Sequence, residues 1–102
     1  MSVQIVDTHS LIDSALAGVL STPLLNTDKV RALLLNLAGG QAVAPCQMSV
    51  TVLYYIVEGQ GHLDVEDEQA ELRAGSLAVV PAGATRSISA DERMRVLAVQ
   101  ML

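Results

Sequence analysis

The sequence predicts a single all-β domain with a short N-terminal helix or arm. Its 102 residues are enough for one hydrophobic core and too few for two, since domains commonly run about 50 to 200 residues. From Lys29 onward, short apolar runs alternate with turn residues, a pattern typical of sandwiches and barrels. We therefore divide the domain into an N-terminal helix or arm, residues 1–28, and a β-barrel, residues 29–102.

The N-terminal segment contains the one predicted helix, over residues 10–20. Its sequence, SLIDSALAGVL, places apolar residues at close to helical spacing, with Ser10 as the N-cap and Asp13 at the third helical position. Pro23 follows and ends the helix, because proline disrupts a helix interior.

Strands are predicted along the rest of the chain, each bounded by residues that favour turns. They lie near residues 30–38, 47–58, 62–66, 69–73, 76–80, 84–89 and 93–101. The second of them is apolar on both faces over residues 52–57. In so small a chain, such a strand implies that its outer face meets another layer or another subunit. We therefore expect a homodimer.

Composition argues against several kinds of partner and location. The net charge of −5 has the wrong sign for binding phosphate backbones. A single cysteine cannot form an internal disulfide, which fits a reducing compartment. The N-terminus has no signal-peptide pattern, and no apolar run is uninterrupted for the roughly 18 residues of a membrane span. We expect a soluble cytoplasmic protein that binds neither nucleic acid nor membrane.

Glycine and proline recur at spacings that match two known motifs. Gly40 and Gly59 bracket the first motif, and Gly75, Pro81 and Gly83 fall within the second. With these spacings the chain resembles the cupin family, and the resemblance implies a jelly-roll β-barrel. The glycines are expected at tight turns or at positive φ.

The metal-binding positions of that family are all substituted. In cupins, two histidines, a glutamate and a later histidine hold a transition metal inside the barrel, and the positions matching them are Cys46, Met48, Val52 and Arg86. Valine has no donor atom, and arginine stays cationic with no lone pair to give. The resemblance, which covers residues 30–101, therefore implies the fold while predicting neither a metal nor another cofactor.

Three roles stay open for Cys46 and Met48, which would project to one side of a strand. They could contribute to a soft-metal site, since thiolate and thioether suit Cu(I). Cys46 could instead be a nucleophile whose thiolate Arg86 stabilises, if the two converge as the family geometry implies. The third role is to fill an irregular part of the core.

Arg86 is the candidate ligand anchor, because its family counterpart points into the barrel. It lies in the small and apolar stretch AGATRSIS. Burying an unpaired guanidinium is costly, so an anion is expected beside it, either a ligand or a protein carboxylate. Alternatively, the side chain reaches the barrel mouth and is solvated.

The remaining polar candidates are expected to be solvated. Strand alternation puts His62 on the polar side of its strand, and the acidic run at residues 66–68 forms a hairpin tip. His9 precedes the predicted helix, and neither histidine has another ligand at metal spacing.

These observations lead to one functional prediction and two alternatives. The leading prediction is a metal-independent cupin that binds a small anionic organic molecule in the barrel, with Arg86 as anchor and Cys46, Met48, Val52 and Tyr54 as wall. The first alternative is a metal-independent isomerase or lyase acting on a small carbonyl or carboxylate compound, with Tyr54 or Cys46 transferring a proton. The second is a divergent soft-metal cupin.

Overall fold

The computed structural model describes residues 3–8 and 20–102, and these segments are all-β. The strands are β1 (Leu20–Asn26), β2 (Val30–Leu37), β3 (Ala42–Gln47), β4 (Thr51–Glu58), β5 (Gln60–Val65), β6 (Glu68–Arg73), β7 (Leu77–Val80), β8 (Thr85–Ala90) and β9 (Met94–Met101). The helix predicted over residues 10–20 falls outside the described residues except at Leu20, which begins β1. Nowhere in the described segments is there a helix long and apolar enough to cross a membrane.

Two antiparallel sheets form the barrel. The five-stranded sheet has the order β1-β2-β9-β4-β7, and the four-stranded sheet has the order β3-β8-β5-β6. The all-β barrel predicted from the sequence is therefore confirmed, with two more strands than the sequence indicated.

The core lies between the inner faces of the two sheets. In the five-stranded sheet, every second residue of β4 from Val52 to Ile56 is buried, as are Val96 and Ala98 of β9. Leu63, Leu72 and Ile88 face them from the four-stranded sheet. The core is aliphatic apart from Tyr54, as expected of a chain that has no Phe or Trp.

The two strands that the sequence did not predict are both edge strands that contain a proline. β1 lies in the segment assigned to the N-terminal arm, and its register with β2 shifts between Pro23 and Leu25. β3 contains Pro45, and its register with β8 shifts between Val43 and Cys46. A proline has no N–H to donate, so these strands can pair fully along one side only.

The motif glycines adopt the backbone conformation expected of them. Their φ angles are 87° at Gly40, 91° at Gly59, 92° at Gly75 and 87° at Gly83. Gly59 has a second constraint, because a Cβ atom there would lie 2.7 Å from the Cα of Met94 and would also clash with the Arg93 carbonyl. The turn between β4 and β5 therefore requires glycine for both conformation and space.

Candidate functional site

Arg86 lies inside the barrel, on the inner face of β8. Its side chain is only 2% exposed. The Nε atom donates to the carbonyl of Ala84 at 3.1 Å, and Nη1 donates to the hydroxyl of Tyr54 at 3.3 Å. Since Tyr54 belongs to the opposite sheet, the guanidinium spans the space between the two sheets.

One nitrogen of this guanidinium has no partner. Nη2 of Arg86 is fully buried and makes no hydrogen bond. Within the described segments, no carboxylate forms an ion pair with Arg86. A buried cation without a counter-charge is costly, which makes this nitrogen the strongest candidate contact for an anion.

Tyr54 and Val52 form the wall opposite Arg86. They lie two residues apart on the inner face of β4, and their exposed fractions are 6% and 1%. The phenol ring brings a polar atom into an otherwise apolar interior. Val52 contributes shape only, because its side chain has no donor or acceptor.

Cys46 and Met48 lie in different surroundings. Cys46 is exposed near the end of β3 and is a free thiol, so it does not fill the core. It is the cross-strand partner of Arg86, and such partners project to one face of a sheet. Met48 lies beyond the end of β3, where strand alternation no longer applies, and packs half-buried against the core.

The four positions that would hold a metal in the family do not fit one here. Cys46 is at the surface, Val52 has no donor atom, and Arg86 brings a positive charge that repels a metal ion. The described residues contain no group of three or more His, Cys, Asp or Glu side chains arranged to bind a metal. His62 lies elsewhere, half-exposed, with its Nδ1 atom 3.2 Å from a carboxylate oxygen of Asp91, and His9 is outside the described residues.

A cleft is lined in part by residues that neighbour Arg86. Its volume is about 510 Å³. Val65, which lines it, is the cross-strand partner of Arg86. Ala84, which also lines it, accepts the Nε hydrogen bond of Arg86. Glu66 and Glu68 are part of the acidic rim of this cleft. This cleft therefore has an acidic rim and lies next to two residues that neighbour Arg86. Arg86 itself lines a second cleft, of about 360 Å³, together with Pro45, Asp64 and Glu66.

Among the described residues, sequence reasoning missed three buried polar side chains, those of Asn36, Arg95 and Gln100. The one that shares the inner face with Val52 is that of Gln100. It is 8% exposed, and its Oε1 atom is buried without a hydrogen-bond partner. Its place in β9 follows the buried residues Val96 and Ala98 at a spacing of two, so strand alternation could have shown that it points inward.

The sequence matches a family model described as a cupin domain, over residues 34–100. No functionally curated protein matches the sequence closely enough to count as a relative.

Solved structures share the fold over most of the chain. A cupin superfamily protein from Desulfitobacterium hafniense is 24% identical, with a TM-score of 0.89, covering 100% of this chain and 94% of that one. A protein from Thermus thermophilus is also 24% identical, with a TM-score of 0.89 and 97% coverage of both chains. A salicylate 1,2-dioxygenase variant from Pseudoaminobacter salicylatoxidans is 18% identical, with a TM-score of 0.79, covering 87% of this chain and 28% of the dioxygenase.

Proposed function

This chain belongs to the cupin family, and from that premise we propose that it binds a small organic anion inside the barrel without a bound metal ion. The observation that carries the proposal is the unpartnered Nη2 atom of Arg86. A carboxylate is the simplest group that satisfies it, because a guanidinium donates to carboxylate oxygens in a planar geometry.

The surroundings of Arg86 favour tight binding of such an anion. Two of its nitrogens are already held by Ala84 and Tyr54, so the side chain is fixed before the ligand arrives. Charge pairs are stronger in the low-dielectric interior than in water. A ligand bound at Nη2 of Arg86 would lie close to the wall formed by Val52 and Tyr54.

A metal-independent isomerase or lyase is the second candidate function, and one contact favours it. The Tyr54 hydroxyl lies 3.3 Å from a guanidinium nitrogen of Arg86, where it could exchange a proton with a carboxylate held by that guanidinium. Cys46 is less suited to this role, because its thiol is exposed at the edge of the barrel. A screen of small carbonyl and carboxylate compounds distinguishes turnover from binding alone.

Native mass spectrometry of untagged protein tests the proposal. We expect wild-type protein incubated with a panel of small carboxylates to retain an added mass that Arg86→Met does not. Elemental analysis of the same sample should find far less than one transition metal ion per chain. About one Fe, Mn, Ni, Cu or Zn per chain, with loss of the fold on chelation, would overturn the metal-independent function.

The partner we propose is a second copy of the chain, bound at the outer face of the five-stranded sheet. Two rows of apolar side chains cross β7, β4 and β9 on that face: Leu77, Tyr55 and Leu97, and beside them Val79, Leu53 and Val99. The exposed fractions are 62% for Leu77, 61% for Val79 and 42% for Tyr55. Contiguous apolar patches of this kind commonly mark interfaces.

A second copy can meet this face without bringing charges together, because the two rows contain no charged side chain. The net charge of −5 opposes association of two copies elsewhere on the surface. A specific interface buries about 800 Å² on each partner. The two rows would form its centre, and Met101 and Leu102, each 47% exposed, would extend it. A cytoplasmic location is proposed as well, supported by the single free thiol.

A further inference from the structure

Gln100 is the second polar side chain that faces into the barrel with an unmet hydrogen bond. Its Cα is paired across the strands with Val52, and cross-strand partners project to the same face of a sheet. Because Val52 belongs to the core, the Gln100 amide also points inward. Its Oε1 atom is buried and has no partner among the described residues.

Gln100 and Arg86 both lie close to Tyr54. Tyr54 follows Val52 by two residues on the same face, so it is the diagonal neighbour of Gln100, at about 7–8 Å between Cα atoms. The hydroxyl of Tyr54 accepts the Nη1 hydrogen bond of Arg86. Tyr54 is therefore a neighbour of both residues, of Gln100 within its own sheet and of Arg86 from the opposite sheet.

The two unmet groups are complementary in what they require of a ligand. Nη2 of Arg86 needs an acceptor, and Oε1 of Gln100 needs a donor. As the amide is oriented in the structure, the buried atom without a partner is the acceptor Oε1, so the ligand group that meets Gln100 is a donor.

We infer that Gln100 determines specificity, and that the ligand is a small carboxylate that also carries a hydroxyl or amino donor. This inference rests on the proposed function, since it places the carboxylate at Arg86. Sites built to hydrogen-bond a donor discriminate strongly against analogues that lack it, because the buried acceptor is then left unpaired. The ligand class is therefore hydroxy acids or amino acids rather than simple carboxylic acids.

Matched acids of nearly equal size test the inference. Isothermal titration calorimetry would compare propionate with lactate, which adds a hydroxyl, and with alanine, which adds an amino group. We expect wild-type protein to bind lactate or alanine at least tenfold more tightly than propionate. In Gln100→Met, which keeps the length but removes the amide, that preference should fall below about twofold.

The outcomes separate this inference from the proposed function. Equal binding of all three acids by the wild type, lost in Arg86→Met, would overturn the role of Gln100 and leave the carboxylate site standing. A preference that survives in Gln100→Met would likewise overturn the role of Gln100 alone. Absence of binding by all three acids would overturn both proposals. The wild-type comparison needs no variant, so it remains decisive even if Gln100→Met does not fold.

Discussion

Replacing Arg86 with methionine tests whether the anion beside this guanidinium is a ligand or part of the chain. Methionine keeps much of the arginine stem and removes the charge and all of its donors. Because no carboxylate of the described residues pairs with Arg86, the substitution leaves no buried acid without its partner. We therefore expect Arg86→Met to fold.

Two opposing contributions determine how much Arg86→Met changes the free energy of unfolding. The variant loses the hydrogen bonds from Arg86 to the Ala84 carbonyl and the Tyr54 hydroxyl, at roughly 1.5–3 kcal/mol for each bond to a charged group. It also no longer buries a charge, whose effective desolvation penalty is several kcal/mol. These contributions nearly cancel. Without ligand, the free energy of unfolding should stay within about 1 kcal/mol of wild type, or about 4–8 °C in Tm.

Thermal melts with and without small carboxylates and phosphates provide the assay. A carboxylate at 100 times its Kd should stabilise the wild type by about 2.7 kcal/mol and should leave Arg86→Met unchanged. Arg73→Met is the matched control, because the Arg73 side chain is 75% exposed and forms only a long surface ion pair with Glu71, at 3.9 Å, a kind of contact that contributes little to stability. This control should respond to carboxylates as the wild type does.

One pair of results would refute the reasoning about Arg86. If Arg86→Met without ligand loses about 3–5 kcal/mol, the arginine has a structural counter-charge in the folded chain, since that is the usual effect of stranding a buried acid. If, in addition, no anion raises the wild-type Tm, the carboxylate site does not exist.

Three further predictions concern the turns, the thiol and the dimer. Gly59→Ala should lower the free energy of unfolding far more than Gly75→Ala. Both glycines have positive φ, which costs alanine about 1–2 kcal/mol. Of the two, only Gly59 lies where an added Cβ would meet backbone atoms. Urea unfolding measures this difference, and equal losses would contradict it. Cys46 should react completely with iodoacetamide in the native protein, because its thiol is exposed; protection that lasts until unfolding would show that the thiol is buried in solution. Sedimentation equilibrium should give a dimer for the wild type, a monomer for Val79→Lys and a dimer for the control Gln69→Lys on the other sheet. A wild-type monomer at micromolar concentration would rule out the interface.

The sequence predicted the strands of this barrel where the usual signals agree, and failed where proline interrupts them. β4, β5, β8 and β9 have apolar runs bounded by clear turn residues, and their predicted positions are close to those found. β1 and β3 were missed because Pro23 and Pro45 weaken a strand prediction. Proline is tolerated at an edge, where one side of the strand needs no partner, but a single sequence does not reveal which strand is an edge.

The candidate site was predictable in outline only. The motif spacing put Arg86 inside the barrel, and its burial agrees with that prediction. Whether a buried guanidinium meets a carboxylate of its own chain depends on contacts between residues distant in sequence, which spacing does not encode. The same limit applied to Cys46, whose exposure results from its place on an edge strand.

The described sheets end in four edge strands, and three of them are poor templates for further strand pairing. β1 and β3 are interrupted by proline and a register shift, and β6 carries charged side chains at Glu68, Glu71 and Arg73. β7 contains neither a proline nor a charged side chain, and only its length of 4 residues limits further strand pairing. Aggregation of partly unfolded chains should therefore begin at β7, where exposed Leu77 and Val79 adjoin unpaired backbone groups. Covering this strand in a dimer would raise solubility as well as stability.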